Sequence, residues 1–325
     1  MTEKTFTEAA REALTDAMDA DPTIFVVGEG AGERGGNFET TLGLYEKYGP
    51  VRLCDTPICE RGFIGMCTGA AMTGTRPVVD FMFTDFILDG LGELINQTSK
   101  MQYMSNGRLK MPMVLRGCIG IGHSAATHHS GSYYPLFAHI PGFRVALPSN
   151  PADAKGLFAT ALQSDDPVFF MEHRQLLSLK GPVPEGEHRV PFGRAAVTRE
   201  GTDATIVALT VMVHHALQVA EELAGEGISL EIIDPRTVAP LDMETILESV
   251  RKTGRLLIVD ETFMPCGIGA EISAHVTEHG FDELDAPIMR LNGAHVPTPY
   301  SPALEQAIVP DRAAIAGTVR DLLAE

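Results

Sequence analysis

Short apolar runs alternate regularly with amphipathic segments in the second half of this 325-residue chain. In chain order the pattern predicts strand 204–209, helix 214–224, strand 230–233, helix 243–250, strand 256–260, helix 270–278 and strand 288–291. Continuous apolar strands are typical of parallel sheets, because crossover helices cover both faces of such a sheet. Residues 196–325 are therefore predicted to form a doubly wound α/β domain.

The first half predicts a second domain of the same class. A helix capped by Thr5 or Thr7 carries Ala10, Leu14 and Met18 on one face, and the buried strand 24–27 follows it. Further predicted elements are strands 77–83, 113–115, 143–147 and 168–171, with a helix over 152–163. A segment rich in proline and glycine lies beyond them. We therefore expect domains at 1–180 and 196–325, a linker at 181–195, and largely parallel sheets.

Composition excludes several function classes. The formal net charge is −18, so nucleic acid and anionic membranes are not expected as partners. No apolar run is long enough to span a bilayer, and the N-terminus lacks the apolar core of a signal peptide. The five cysteines are an odd number without a CxxC pair, which favours a reducing, cytoplasmic setting.

The glycine-rich segment 28–32 follows a predicted strand but does not fit a dinucleotide fingerprint. The third glycine that the fingerprint requires would fall on Glu33, and the sequence has no GxxxxGK[ST] phosphate loop. The pattern alone favours a surface turn.

Glu60 stands between apolar residues and is a candidate proton donor. A carboxyl group removed from water holds a proton more readily than an exposed one. The alternative is an ordinary ion pair with Arg61 or Arg116, and the residues alone leave both interpretations open. The glycines that follow predict a tightly packed helix approached by another backbone: Gly62, Gly65, Gly69 and Gly74.

The loop 120–132 is rich in glycine and contains His123, His128 and His129. Histidine titrates near neutral pH, so the loop is a candidate functional site. We expect no metal centre, because adjacent histidines such as His128 and His129 diverge on most backbones. Phe81, Phe83, Phe86 and Met82 follow a strand, and that pattern favours core packing over a cofactor wall.

A set of ordered motifs covers nearly the whole chain. They include Asp55-Thr56-Pro57-Ile58-Cys59-Glu60, Gly69-Ala70-Ala71-Met72-Thr73-Gly74, His129-Ser130, Pro148-Ser149-Asn150-Pro151 and Ile233-Asp234-Pro235-Arg236-Thr237. In this order they resemble the beta subunit of the thiamine-diphosphate-dependent first component of 2-oxoacid dehydrogenase complexes. The stretch 134–137 and the pair Glu172-His173 are more similar to acetoin dehydrogenase than to pyruvate or branched-chain enzymes.

The resemblance implies a transketolase-like fold in which residues 1–180 hold the aminopyrimidine of thiamine diphosphate. The diphosphate and its Mg²⁺ need a GDG motif, which this sequence lacks. An alpha subunit carrying GDG is therefore the implied partner, in an α2β2 assembly whose active site lies between subunits. A lipoyl-bearing acyltransferase core is the implied acceptor of the acyl group.

The resemblance also assigns the site residues. Glu60 matches the glutamate that hydrogen-bonds the pyrimidine ring and promotes ylid formation. Ile58, Met82 and Phe86 match positions that pack against the pyrimidine, and Glu29 matches a nearby acidic position. With the cofactor activated, the implied reaction is decarboxylation of a 2-oxoacid or cleavage of acetoin, followed by acyl transfer.

His129 matches a histidine that assists substrate binding and acyl transfer to the lipoyl arm. Its surroundings depart from the family pattern: Gln-His-Ser-Gln becomes His128-His129-Ser130-Gly131, an acidic-Gln pair becomes Gly92-Glu93, and Gly-Glu-Asp becomes Gly28-Glu29-Gly30. These departures leave two alternatives open, a non-catalytic regulatory or assembly subunit and a specialised thiamine-dependent acyl-transfer enzyme. A flavodoxin-like module that binds a cofactor alone is a third alternative.

Overall fold

A computed structural model describes all residues from Met1 to Glu325. The chain folds into two compact units. The first contains Met1–Ile119 and His128–Phe192, and the second contains Gly120–Thr127 and Gly193–Glu325. No helix is long and apolar enough to cross a membrane.

The first unit is built on a parallel sheet. Its strands are β1 (Thr2–Thr5), β2 (Ile24–Gly28), β3 (Leu53–Asp55), β4 (Arg76–Phe83), β5 (Val114–Ile119), β6 (Arg144–Ala146), β7 (Val168–His173) and β8 (Lys180–Val183). Within this unit the sheet order is β6-β7-β5-β4-β2-β3, and every neighbouring pair is parallel. Strands β1 and β8 form a separate antiparallel ribbon.

Seven α-helices belong to the first unit: α1 (Phe6–Ala20), α2 (Leu44–Tyr48), α3 (Glu60–Met72), α4 (Leu91–Glu93), α5 (Met101–Met104), α6 (Tyr134–Ala138) and α7 (Pro151–Gln163). Shorter helical turns are Thr84–Gly90, Leu94–Thr98, Thr127–His129 and Arg174–Leu176. Thr5 caps α1 in a reciprocal capping box with Glu8. Helix α1 packs against α7, whose buried face, like that of α1, is rich in small residues.

The second unit has strands β9 (Ala196–Arg199), β10 (Ala204–Ala208), β11 (Leu230–Asp234), β12 (Thr237–Ala239), β13 (Leu256–Phe263) and β14 (Met289–Gly293). Its helices are α8 (Met212–Ala224), α9 (Met243–Thr253), α10 (Ile268–Gly280), α11 (Pro302–Ala307) and α12 (Arg312–Ala324), with a short turn at Phe281–Glu283. The sheet order is β14-β13-β10-β11-β9, and only β9 is antiparallel. The predicted fold class, two α/β domains with largely parallel sheets, is confirmed.

The predicted strands lie where the apolar runs placed them. All residues of β7 and β10 are buried, as expected for strands covered on both faces. The glycines after Glu60 were predicted to mark a helix that another backbone approaches closely, and no other backbone of this chain does so. A side chain added at Gly69 or Gly74 would meet no atom within 4 Å, and Gly62 and Gly65 face only the side chains of Cys59 and Glu93. This face of α3 is exposed.

Parallel strands bring their carboxyl ends to one edge of a sheet, where ligands bind in open α/β folds. The residues at or beyond the carboxyl ends of β2, β3, β4 and β7 in the first unit therefore lie along the same edge. They include Glu29, Glu60 and Arg174, together with Met82 in the last residues of β4.

Candidate active site

Glu60 is the first residue of α3, directly after the loop that leaves β3. Its side chain is buried, with only 7% of the residue exposed, although Cys59 and Ile58 just before it are exposed. No hydrogen bond or ion pair of this chain involves the Glu60 carboxylate. The amino end of a helix favours negative charge, so the position suits a carboxylate that is ready to accept an external partner.

The ion pairs considered for Glu60 do not form. Arg61 instead pairs with Glu93 at 2.8 Å. Arg116 makes a bidentate pair with Glu172 at 2.6 and 2.8 Å, and both side chains are 1% exposed. The surface-pair interpretation of Glu60 is therefore wrong, because both arginines are engaged elsewhere.

Glu29 follows β2 and lies close enough to Glu60 for their charges to interact. Burial raises the pKa of Glu29, and the negative charge of Glu60 raises it further. A neighbouring negative charge disfavours the ionised form of a carboxyl group. The segment around Glu29 is not the surface turn expected from its glycines, because Gly28, Ala31 and Gly32 are buried.

Met82 has a left-handed backbone with φ of 61°, an uncommon conformation for a residue with a side chain. It lies at an irregularity in β4, where the pairing with β5 shifts register between Asp80 and Phe83. The buried Asp80 carboxylate accepts a hydrogen bond from the Met82 N–H at 3.0 Å and another from the Thr40 hydroxyl at 2.7 Å. Strained backbone held by neighbouring groups is characteristic of functional sites.

Gly28 has a clear steric reason to be glycine. A β-carbon there would lie 2.2 Å from the Asp80 carbonyl oxygen on the paired strand.

Neither Asp80 nor Thr40 was predicted from the sequence, although a single carboxylate inside the apolar strand 77–83 was an available signal. Ile58, predicted to pack on the cofactor, is 81% exposed in this chain.

His129 lies in an aromatic cluster in the first unit. Its ring contacts Phe83 with centroids 4.7 Å apart and Phe86 at 5.5 Å, both edge-on. Phe38 contacts Phe83 from another side at 5.2 Å. Phe83 and Phe86 are only half-buried, whereas Phe81 is 2% exposed, so only Phe81 matches the expected core role. Phe38 was missed, because nothing in its local sequence pattern links it to β4.

Asp85 accompanies this cluster. Burial raises the pKa of its carboxyl group, while hydrogen bonds from the backbone act in the opposite direction. The Gly131 N–H donates to both Asp85 oxygens at 3.2 and 3.3 Å. A side chain at Gly131 would collide with Asp85 and Tyr133, so this departure from the family pattern accommodates a close local contact.

The first unit thus joins two carboxyl groups, a strained methionine and a histidine-aromatic cluster at the ligand-binding edge of a parallel sheet, next to a second α/β unit in sequence. Two family models place the chain in the transketolase class. Residues 2–180 match the family model described as transketolase, pyrimidine binding domain, and residues 193–315 match transketolase, C-terminal domain.

The chain belongs to the family of beta subunits of thiamine-diphosphate-dependent 2-oxoacid and acetoin dehydrogenases. It is 44% identical to the beta subunit of an acetoin:2,6-dichlorophenolindophenol oxidoreductase of Cupriavidus necator, covering 96% of this chain and 95% of that one. It is 41% identical to a pyruvate dehydrogenase E1 beta subunit of Rickettsia felis (97% of each chain). It is 40% identical to a 2-oxoisovalerate dehydrogenase beta subunit of Bacillus subtilis (99% of each).

A solved structure described as a split gene transketolase, inactive beta4 tetramer, shares the fold. The TM-score is 0.80 at 22% identity, with 98% of each chain covered. The resemblance inferred from the sequence motifs is confirmed by these relatives.

Proposed function

We propose that this chain activates thiamine diphosphate through Glu60, in an enzyme that cleaves a 2-oxoacid or acetoin beside its carbonyl group. The observation that carries the proposal is Glu60 itself, a residue only 7% exposed whose carboxylate makes no hydrogen bond or ion pair within its own chain. Its carboxyl oxygens therefore keep their hydrogen-bonding capacity for a ligand that supplies a ring nitrogen.

The residues around Glu60 fit an aminopyrimidine. When bound, thiamine diphosphate supplies a carbon nucleophile and an electron sink for the cleavage. Glu60 would hold a proton at its carboxyl oxygen against a ring nitrogen, and Glu29 would bias that proton equilibrium through its neighbouring charge. Ile58, Met82 and Phe86 would orient the ring by packing beside it.

His129 would act later in the reaction, in acyl transfer to a lipoyl group on an acyltransferase core. Its half-buried ring is fixed by edge contacts with Phe83 and Phe86, which leaves its nitrogens as the reactive part of the cluster. Histidine can donate or accept a proton near neutral pH, as thioester formation requires.

The partner would be an alpha subunit with a GDG motif that holds Mg²⁺ and the diphosphate, in an α2β2 assembly. The absence of GDG from this sequence and the exposed apolar face beside Glu60 support that arrangement. On this face Ile58 is 81% exposed and Met66 is 52% exposed, and the adjoining glycines leave room for a close neighbour. We also propose that the protein is cytoplasmic and that residues 181–195 link its two domains.

The test is Glu60→Gln in the complex reconstituted from this chain, its alpha partner and thiamine diphosphate. We expect loss of 2-oxoacid- or acetoin-dependent reduction of an artificial acceptor, by about a hundredfold or more. Glu244→Gln is the matched control, because Glu244 is an exposed glutamate in the first turn of α9. The control should retain wild-type activity.

Near-wild-type turnover by Glu60→Gln would contradict the assigned role of this residue. A wild-type complex that binds thiamine diphosphate but turns over neither substrate class would favour the alternative of a regulatory or assembly subunit.

A further inference from the structure

Arg174 occupies the same edge of the first sheet as the proposed cofactor residues. It directly follows β7 and opens the short turn Arg174–Leu176. Strands β4 and β7 both flank β5 and run parallel to it, so their carboxyl ends lie on the same side of the sheet. This position puts a permanent positive charge beside the residues that follow β4.

The guanidinium of Arg174 lies over aromatic rings of the His129 cluster. Its central carbon is 5.4 Å from the centroid of Phe83 and 5.9 Å from that of Phe38. His129 contacts the same Phe83 ring at 4.7 Å. Phe83 therefore contacts both Arg174 and His129. Its ring orients the guanidinium without neutralising the positive charge.

No carboxylate of the chain pairs with Arg174. The nearby Glu172 is committed to Arg116, in a pair with two hydrogen bonds. Asp85 is engaged by the Gly131 N–H and by the Tyr133 hydroxyl at 3.5 Å. Arg174 is half-buried and makes no ion pair within the chain, so its planar set of donors is available to a carboxylate.

We propose that Arg174 binds the carboxylate of the substrate and so selects a small 2-oxoacid over a neutral hydroxyketone such as acetoin. The inference rests on the proposed function and narrows its substrate class. A planar guanidinium binds a carboxylate through two parallel hydrogen bonds. Phe38, Phe83 and Phe86 supply the apolar surroundings in which that charged contact is strong and in which a short aliphatic substituent is favoured.

The test uses the assembled enzyme, this chain with its alpha partner and thiamine diphosphate, and an artificial electron acceptor. Pyruvate and 2-oxoisovalerate are the anionic probes. Methyl pyruvate, used as a competitive inhibitor, is the neutral probe with the same reactive carbonyl. Arg174→Gln and Arg174→Lys are compared with Arg251→Gln, which removes one positive charge from an exposed position on α9 that makes no ion pair.

We expect Arg174→Gln to raise KM for the better 2-oxoacid about tenfold to a hundredfold, the loss of one charge-assisted contact. The inhibition constant of methyl pyruvate should stay near its wild-type value. Arg174→Lys should recover part of the loss, because it restores the charge without the planar geometry. Arg251→Gln should behave as wild type.

Equal changes for the charged and neutral probes, or no change for either, would overturn the proposal for Arg174. It would also fail if KM for the 2-oxoacid were unchanged and only KM for a lipoyl domain rose, since the anion would then belong to that domain. A wild-type complex that uses acetoin but no 2-oxoacid leaves the proposed function intact and refutes this inference. A wild-type complex inert towards both classes refutes the two together.

Discussion

The Asp80 carboxylate accepts a hydrogen bond from the backbone N–H of Met82, two residues further along the chain, and so holds Met82 in a left-handed conformation. The other Asp80 oxygen accepts from Thr40, in the loop that follows Glu29. One buried carboxylate thereby joins the ends of β2 and β4. We expect Asp80 to be a positioning residue, which would act on the proposed cofactor site through Met82 and Thr40.

Asp80→Ala should destabilise the chain and loosen this connection. Leaving the Met82 N–H and the Thr40 hydroxyl without their acceptor costs about 1–3 kcal/mol for each buried group. We expect a lower urea midpoint and a higher KM for thiamine diphosphate in the assembled enzyme. Asp80→Asn keeps one acceptor oxygen and should recover part of both losses. Recovery of stability without recovery of KM would contradict the positioning role.

The buried ion pair of Arg116 and Glu172 leads to a prediction about the free energy of unfolding. Glu172→Leu leaves the arginine charge buried without its partner, which should cost about 3–5 kcal/mol of unfolding free energy. The double variant Arg116→Met with Glu172→Leu removes both charges and should recover most of that loss. Urea unfolding of the full chain measures both. A double variant as unstable as the single one would show that packing, not the lone charge, dominates.

The raised pKa of Glu29 predicts a pH-dependent stability difference. When folding raises the pKa of a carboxyl group, the group's contribution to stability is fully present at pH values below the pKa of the unfolded chain, near 4.5. That contribution is lost as the pH rises through the pKa of the folded chain. Glu29→Gln cannot ionise, so its stability relative to wild type should increase as pH rises above about 4.5. Unfolding midpoints of both proteins across pH 4 to 8 test the sign.

Burial and the Glu60 charge both raise the pKa of Glu29, and the Glu60→Gln variant separates these two causes. Removing the Glu60 charge eliminates the second cause and leaves burial, so the pKa of Glu29 should fall towards its ordinary value but stay above it. A carboxyl-carbon NMR titration of Glu29 in the wild type and the variant measures the change. An unchanged titration would contradict the interaction between the two groups.

Much of the fold was predictable because each buried parallel strand has a continuous apolar run, which is visible without tertiary information. The residues alone left the role of Glu60 open between a proton donor and an ion pair, and only the resemblance of the ordered motifs assigned it to the cofactor. The glycine run after Glu60 was misinterpreted. A glycine that packs tightly cannot be distinguished in the sequence from a glycine that is open to solvent. Only the structure shows that Gly69 has free space around it.

Other parts of the site depend on contacts that the sequence does not encode locally. The left-handed backbone of Met82 is fixed by Asp80 and by the register shift in β4, not by a residue type that favours positive φ. Phe38, in the loop between β2 and α2, and Arg174, directly after β7, are far apart in the chain and meet only in the folded structure. No periodicity in the sequence predicts that pairing.

The isolated chain should bind thiamine diphosphate weakly. It has neither a phosphate loop nor a GDG motif, and its formal charge of −18 disfavours a diphosphate. Calorimetry on this chain alone should therefore detect little heat of binding, whereas the chain mixed with its GDG-bearing partner should bind tightly. Tight binding by the isolated chain would support the alternative of a self-sufficient cofactor-binding module.

The last prediction separates the two halves of the proposed reaction. His129→Ala should lower the rate of acyl transfer to a lipoyl domain, about a hundredfold for loss of a proton-transferring group. Reduction of an artificial acceptor needs no thioester formation, so it should fall much less. His139→Ala, at an exposed histidine after α6, controls for loss of an imidazole. The ratio of the two rates decides the assignment. If both fall by the same factor, His129 acts before transfer, in substrate binding or in supporting the Phe83 and Phe86 rings that it contacts.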